Sequence, residues 1–352
     1  MKKHLLYLFI VLMPFFSNGQ DIHFSQVTRT QFSINPAFTG TFSGNIRATM
    51  NWKDQWRSIN KTFRTYATSA EFSFGKGRAR RPTFYALGIH MAKDVSGDIQ
   101  LGTTTIGTSF SSLIQLSRNQ RLCVGIQGAF GKSGISTSNM QWGSQYSGLN
   151  FDPTLYDGEG IEYLPQQYSD FSAGIAYWYH KNDRNVTFGS PQDAKIGLAV
   201  FHINRPENSF VVNGNTRLPM RAVFHASAIF GTPANDLYWY PNLTAQFQGA
   251  QNQFLFGALM KYTLKSGSKM TGMTTDMSVA AGVNFRVNNV FDAIIPQVFF
   301  DFQAFSVGMS YDINVSGLNA ASSYRGGFEL SLRFTNPDRY THRNPQRRGV
   351  SI

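Results

Sequence analysis

Most of this chain obeys a two-residue rule. From Asn45 onward, apolar or aromatic side chains alternate with small or polar ones in segments of roughly nine to eleven residues, the length of a transmembrane β-strand. Ile46, Ala48, Met50 and Trp52 alternate with Arg47, Thr49, Asn51 and Lys53. Near the other end, Phe328, Leu330, Leu332 and Phe334 oppose Gly327, Glu329, Ser331 and Arg333. Successive strand residues point to opposite faces, so each segment carries one apolar and one polar face. A soluble β-sandwich also alternates, but it dresses its outer face in Lys, Glu and Asp. Here the polar face is mostly Gly, Ser, Ala, Thr, Asn and Gln, and charged residues make up only 15% of the chain, against roughly 25% in soluble domains. Such a face suits a barrel lumen, and the other suits lipid. The segments number about fourteen, an even count that fits a single-chain bacterial barrel. The expected fold is therefore all-β, a transmembrane outer-membrane β-barrel of about 14 antiparallel strands spanning 45–335.

The flanks carry other information. Lys2 and Lys3 precede an apolar stretch from Leu5 to Phe16 and small or polar Ser17, Asn18 and Gly19, the pattern of a secretory signal peptide over 1–19. This makes the cell envelope of a Gram-negative bacterium the expected destination. The single cysteine, Cys123, excludes an intrachain disulfide framework, and the net charge of +12 is scattered singly rather than massed as a nucleic-acid surface. Aromatic clusters at segment ends, Tyr177, Trp178 and Tyr179 or Tyr238, Trp239 and Tyr240, read as interfacial girdles. With both termini periplasmic, the longest connections, 133–167 and 205–219, follow odd-numbered strands and fall outside, where outer-membrane barrels keep their long loops.

Motifs for chemistry are weak. Gly131-Lys132-Ser133 lacks the glycine a phosphate-binding loop needs five residues earlier, since position 126 is Ile126. His90, His180, His202 and His225 sit one per segment without metal-ligand spacing, and the acidic residues of the long loop miss the EF-hand pattern. With no nucleophile elbow, HExxH or paired acid, no enzymatic activity, cofactor or metal is expected.

The segments outside the strand pattern are distinctive. Gln20-Asp21-Ile22-His23-Phe24-Ser25-Gln26, Asn35-Pro36-Ala37-Phe38-Thr39-Gly40 and Gln55-Trp56-Arg57 open the chain, Phe151-Asp152-Pro153 and Asp170-Phe171-Ser172-Ala173-Gly174 follow, and Ser310 to Leu318 with Gly327 to Leu332 close it. In this order they resemble the PorP/SprF family of Bacteroidetes outer-membrane proteins. The resemblance implies a barrel working with the type IX secretion system, which exports proteins bearing a C-terminal sorting domain and, in gliding species, cell-surface adhesins. Its expected partners are such an exported protein, other type IX components of the outer membrane and periplasm, and outer-membrane lipid, with no nucleic acid.

Four placements follow. Phe24, Phe32, Ile34 and Phe38, with Asn35-Pro36 as a turn, should hold the segment 20–44 in or across the periplasmic mouth, because it is too apolar to hang in water. Charges on the polar face should be compensated, with Asp312, Glu329 and Arg333 as the nearest trio. The loop 133–167, rich in apolar groups including Trp142, Tyr146, Phe151, Tyr156 and Tyr163, should bind the exported partner together with 205–219 and 314–324, or else fold inward over the lumen. The basic tail 336–352 should be periplasmic and disordered until bound. The rival to a protein-binding role is a passive diffusion porin for small solutes.

Overall fold

The period-two segments become strands whose hydrogen bonds close on themselves. In this computed structural model the described residues are 21–55, 63–76, 83–97, 101–135, 141–147, 150–156, 165–180, 191–208, 216–232, 236–265, 277–317 and 324–336. The leader, residues 337–352 of the tail, Trp56 and Tyr163 lie outside them. The strands are β1 (Ile46–Gln55), β2 (Phe63–Phe74), β3 (Thr83–Ser96), β4 (Leu101–Gln115), β5 (Gln120–Gly134), the two-residue pair β6 (Tyr146–Ser147) and β7 (Asn150–Phe151), then β8 (Gln166–His180) and β9 (Pro191–Phe201). They continue as β10 (Arg221–Thr232), β11 (Leu237–Gln248), β12 (Gln251–Lys265), β13 (Met277–Asn288), β14 (Val290–Phe302), β15 (Phe305–Asn314) and β16 (Arg325–Asn336).

Fourteen of these form one closed antiparallel barrel in chain order, with β5 beside β8, while β6 and β7 make a separate ribbon. The barrel closes where β1 pairs with β16, from Ile46 opposite Asn336 to Gln55 opposite Gly327. Closure leaves no strand edge, the condition for a sheet to cross hydrocarbon, where nothing else can satisfy backbone N–H and C=O groups. One end carries the start of β1, the end of β16 and tight turns such as 116–119 and 303–304. The opposite end, the long-loop end, carries 135–165 and 202–220.

The faces divide as the alternation demands. Met50, Ile126, Leu198, Val298 and Met309 point outward and are exposed, whereas Arg47, Asn51, Lys53, Ser111 and Glu329 are buried inside. The aromatic clusters do not form girdles intact. Tyr177 and Trp239 face outward, but Trp178, Tyr238 and Tyr240 are buried in the lumen. A pleated strand cannot put three consecutive side chains on one face, so only alternate members of such a run reach the interface.

The lumen wall has a bare patch. Gly125 on β5 stands opposite Gly174 on β8, and Gly197 lies on the next strand opposite Ala176. Residues 35–37 rest directly on this patch. A Cβ at Gly125 would sit 2.4 Å from the Ala37 nitrogen, one at Gly174 2.0 Å from Asn35 Oδ1, and one at Gly197 2.6 Å from Asn35 Nδ2. These glycines therefore serve close approach of a second backbone, the usual meaning of glycine inside a strand.

Candidate functional site

Residues 21–44 occupy the lumen along its length. They begin at the long-loop end, descend past Arg29, turn through two 3₁₀ turns at Gln31–Ser33 and Pro36–Phe38, and leave at the other end to enter β1. The segment is thus not confined to the mouth beside β1, where its apolar residues alone would place it. Its polar residues carry it farther: Asp21, Ser25, Arg29 and Asn35 find partners on different stretches of wall.

Phe24, Val27, Ile34, Ala37, Phe38 and Phe42 are buried, and Phe32 is half-buried with its ring stacked on His90 at 4.9 Å. Asn35 explains the turn at its position. Its Oδ1 accepts the Ala37 N–H at 2.8 Å and caps the Pro36–Phe38 turn, while its Nδ2 donates to the carbonyls of Ile175 and Leu198 at 3.2 and 3.1 Å. Pro36 fits as the first residue of that turn because its missing N–H would have no partner there. At the exit, Lys195 Nζ donates to the Thr41 carbonyl at 2.6 Å, and Lys76 Nζ to the carbonyls of Phe42 and Gly44. Between the segment and the wall remains a cavity of about 50 Å³, lined in part by Val27, Phe38, Trp178, Lys195 and Tyr240. A water needs roughly 10–15 Å³ on this scale, so it holds a few waters at most.

The lumen charges form separate groups. Asp312 lies 2.6 Å from Arg286 Nη1 and 3.7 Å from Lys53, and accepts from Ser25 Oγ at 2.7 Å. Glu329, opposite Lys53 across the barrel seam, accepts the backbone N–H groups of Ser25 and Gln26 at 2.7 and 3.2 Å. Arg47 pairs with Glu71 at 2.6 Å and donates to Gln31 Oε1 at 2.7 Å. The expected trio is therefore divided. Asp312 and Glu329 share one group with Ser25, but Arg333 lies one step toward the other end, opposite Thr49 and Ser306. Residues i and i+4 share a strand face but stand some 13 Å apart along it, which separates Glu329 from Arg333. The missing partners, Ser25, Gln26, Lys53 and Arg286, come from the N-terminal segment and from strands distant in the chain.

A latch holds the start of the segment. His202, at a backbone φ of 56° just after β9, has Nε2 2.5 Å from Asp21 Oδ2 and Nδ1 2.9 Å from Asp170 Oδ1. Arg221 Nε stands 3.3 Å from the same Asp21 oxygen, and Gln248 Oε1 accepts the Asp21 N–H at 3.1 Å. Burial opposes the charged imidazole, but the two carboxylates outweigh it and raise His202 to about 9. Burial likewise opposes the Asp21 carboxylate, and Arg221 with His202 outweighs it, holding Asp21 below the usual carboxylate range. A histidine with a raised folded-state value stabilises fully below its unfolded value near 6.5 and loses that contribution as pH rises through about 9. The barrel in detergent should show a falling unfolding midpoint across that window, and His202→Gln should remove the dependence. An unchanged pH profile in the variant would exclude the latch.

At the long-loop end, residues 141–147 and 150–156 make a small unit of their own. Gly143–Gln145 form a 3₁₀ turn, β6 and β7 pair behind it, and the Tyr146 ring packs on Phe151 at 5.5 Å. Tyr146 is 45% and Tyr156 75% exposed, while Trp142 and Phe151 are half-buried.

The profile of a family described as a type IX secretion system membrane protein, PorP/SprF, matches residues 16–334. No curated protein sequence matches the chain. Among solved structures, the CymD monoaromatic hydrocarbon channel aligns at 10% identity over 88% of this chain and 93% of its own, with a TM-score of 0.46. BamA from Haemophilus ducreyi lacking POTRA domains 1–3 aligns at 9% identity over 83% and 70%, with a TM-score of 0.42. The translocator domain of the autotransporter NalP from Neisseria meningitidis aligns at 11% identity over 85% and 91%, with a TM-score of 0.38.

Proposed function

The chain belongs to the PorP/SprF family of type IX secretion system membrane proteins, and on that premise we propose that it is a non-enzymatic outer-membrane component that holds an exported protein at the cell surface. The cargo is a protein with a C-terminal sorting domain or a gliding-type adhesin, and the other type IX components are the neighbours that deliver it. The observation that carries this reading is the occupied lumen. Residues 21–44 fill the path a solute would take, hydrogen-bonded to walls as far as 305 positions away in sequence. With the interior committed, the rim and its loops are the surfaces left for work. Signal-peptide cleavage after Gly19 would start the mature chain beside the Asp21 latch, so processing and lumen filling are coupled in this reading.

The loop carrying Trp142, Tyr146, Phe151 and Tyr156 is the docking element. Exposed tyrosines at a rim are suited to anchoring, since they bring large area with few rotatable bonds. Replacing Trp142, Tyr146 and Tyr156 by Ala should release the exported protein into the medium while the barrel keeps its heat-modifiable migration. Loss of three aromatic anchors is worth about 2 kcal/mol or more each at a hot spot, enough to shift retention by well over tenfold. Full retention by a native-like variant barrel would remove this loop from the binding surface.

A further inference from the structure

We propose that Arg29, Arg47 and Arg333, with Tyr240, form a buried binding site for a small inorganic oxyanion, phosphate or sulfate, inside the lumen. The convergence follows from the strand register. Arg333 on β16 stands opposite Ser306 on β15, and Ser306 opposite Asp301 on β14. Arg29, from the N-terminal segment, donates from Nη2 to Ser306 Oγ at 2.7 Å and stacks on the Phe299 ring at 4.5 Å. Arg47 is on β1, two residues along from Thr49, the residue facing Arg333, and reaches Gln31 two positions after Arg29. All three guanidinium groups and the Tyr240 ring are more than nine-tenths buried.

The charges do not balance locally. Arg29, Arg47, Arg333 and Lys261 are four basic side chains, and the acids that pair with them are two, Glu71 and Asp301. Both acids are engaged: Glu71 takes Arg47 Nε and Nη2, and Asp301 takes Lys261 Nζ and the hydroxyls of Ser278 and Ser306. Left without hydrogen-bond partners among the described residues are Arg29 Nε and Nη1, Arg47 Nη1, Arg333 Nη1 and the Tyr240 hydroxyl. A guanidinium is not deprotonated in proteins at neutral pH, so Arg29 brings a full positive charge. Two surplus positive charges with five unused donors match a doubly charged oxyanion, whose oxygens accept several N–H bonds at once. The neighbouring group is the contrast. There Lys53 and Arg286 meet Asp292, Asp312 and Glu329, with Arg286 Nε on Asp292 and Nη1 on Asp312. Tyr240 and Gln31 also line the lumen cavity, which brings the site against water.

The test uses the full barrel in detergent, its unfolding midpoint read by heat-modifiability at pH 7 and fixed ionic strength, with chloride exchanged stepwise for inorganic phosphate or sulfate. A saturable rise in midpoint is expected with either oxyanion and not with chloride. Arg333→Gln should weaken the apparent affinity about tenfold or more, the effect of losing one charged hydrogen bond. Tyr240→Phe removes one donor without changing charge or shape and should weaken it to a smaller degree; it decides the matter if the arginine variant does not fold. No saturable shift in the parent protein, an equal shift with chloride, or an unchanged shift in Tyr240→Phe would overturn the site.

Discussion

Deleting residues 21–44 is expected to convert a closed barrel into a conducting one. In planar bilayers the intact protein should pass little current, since residues 21–44 occupy its lumen and are hydrogen-bonded to its walls. The deletion should raise single-channel conductance by about an order of magnitude or more, because fourteen strands enclose a lumen that side chains alone do not fill. The same deletion should lower stability. Burying Phe24, Val27, Ile34, Phe38 and Phe42 is worth roughly 1.5–3 kcal/mol each, offset in part by the entropy of ordering the segment. Gly174→Val provides a gentler version without shortening the chain. Its new carbons fall where Asn35 Oδ1 now stands, so the turn must lift off the wall and current should flicker. Large steady conductance from the intact protein, unchanged by the deletion, would return the porin to first place.

The second large effect is expected at Asp312. Its carboxylate is 1% exposed and compensates Arg286 and Lys53 at once. Asp312→Ala leaves two cations buried with only Asp292 and Glu329 nearby, and removal of one partner from a buried pair costs about 3–5 kcal/mol. The variant should lose heat-modifiable migration at a much lower temperature. The double variant Asp312→Ala with Arg286→Met should recover much of that loss, since removing both partners also removes the uncompensated charge. The Ser25 hydroxyl would also lose its acceptor, so the start of the segment should become more accessible to protease in the single variant. A single variant as stable as the parent protein would mean the pair is solvated rather than buried.

The barrel itself was legible in the sequence because its causes are local. Strand count, the face of each residue and the placing of long loops at one end all follow from a two-residue period and from hairpins that join neighbours in the chain. Arg47, Glu71, Arg286, Asp312, Glu329 and Arg333 take the inward face for that reason alone. The glycines at 125, 174 and 197 were a readable signal too, since a glycine amid a strand's polar face marks close approach, though not of what. Only the tertiary structure decided the rest. Lys53 meets Glu329 because β1 and β16 close the barrel in one particular stagger, which no local pattern encodes. Ser25 reaches Asp312 across 287 positions and Gln26 reaches Glu329 across 303, because a segment without repeat follows whichever path satisfies its own polar groups. A period tells a side chain which way to face; what it meets there depends on how the closed sheet is sheared and on what fills it.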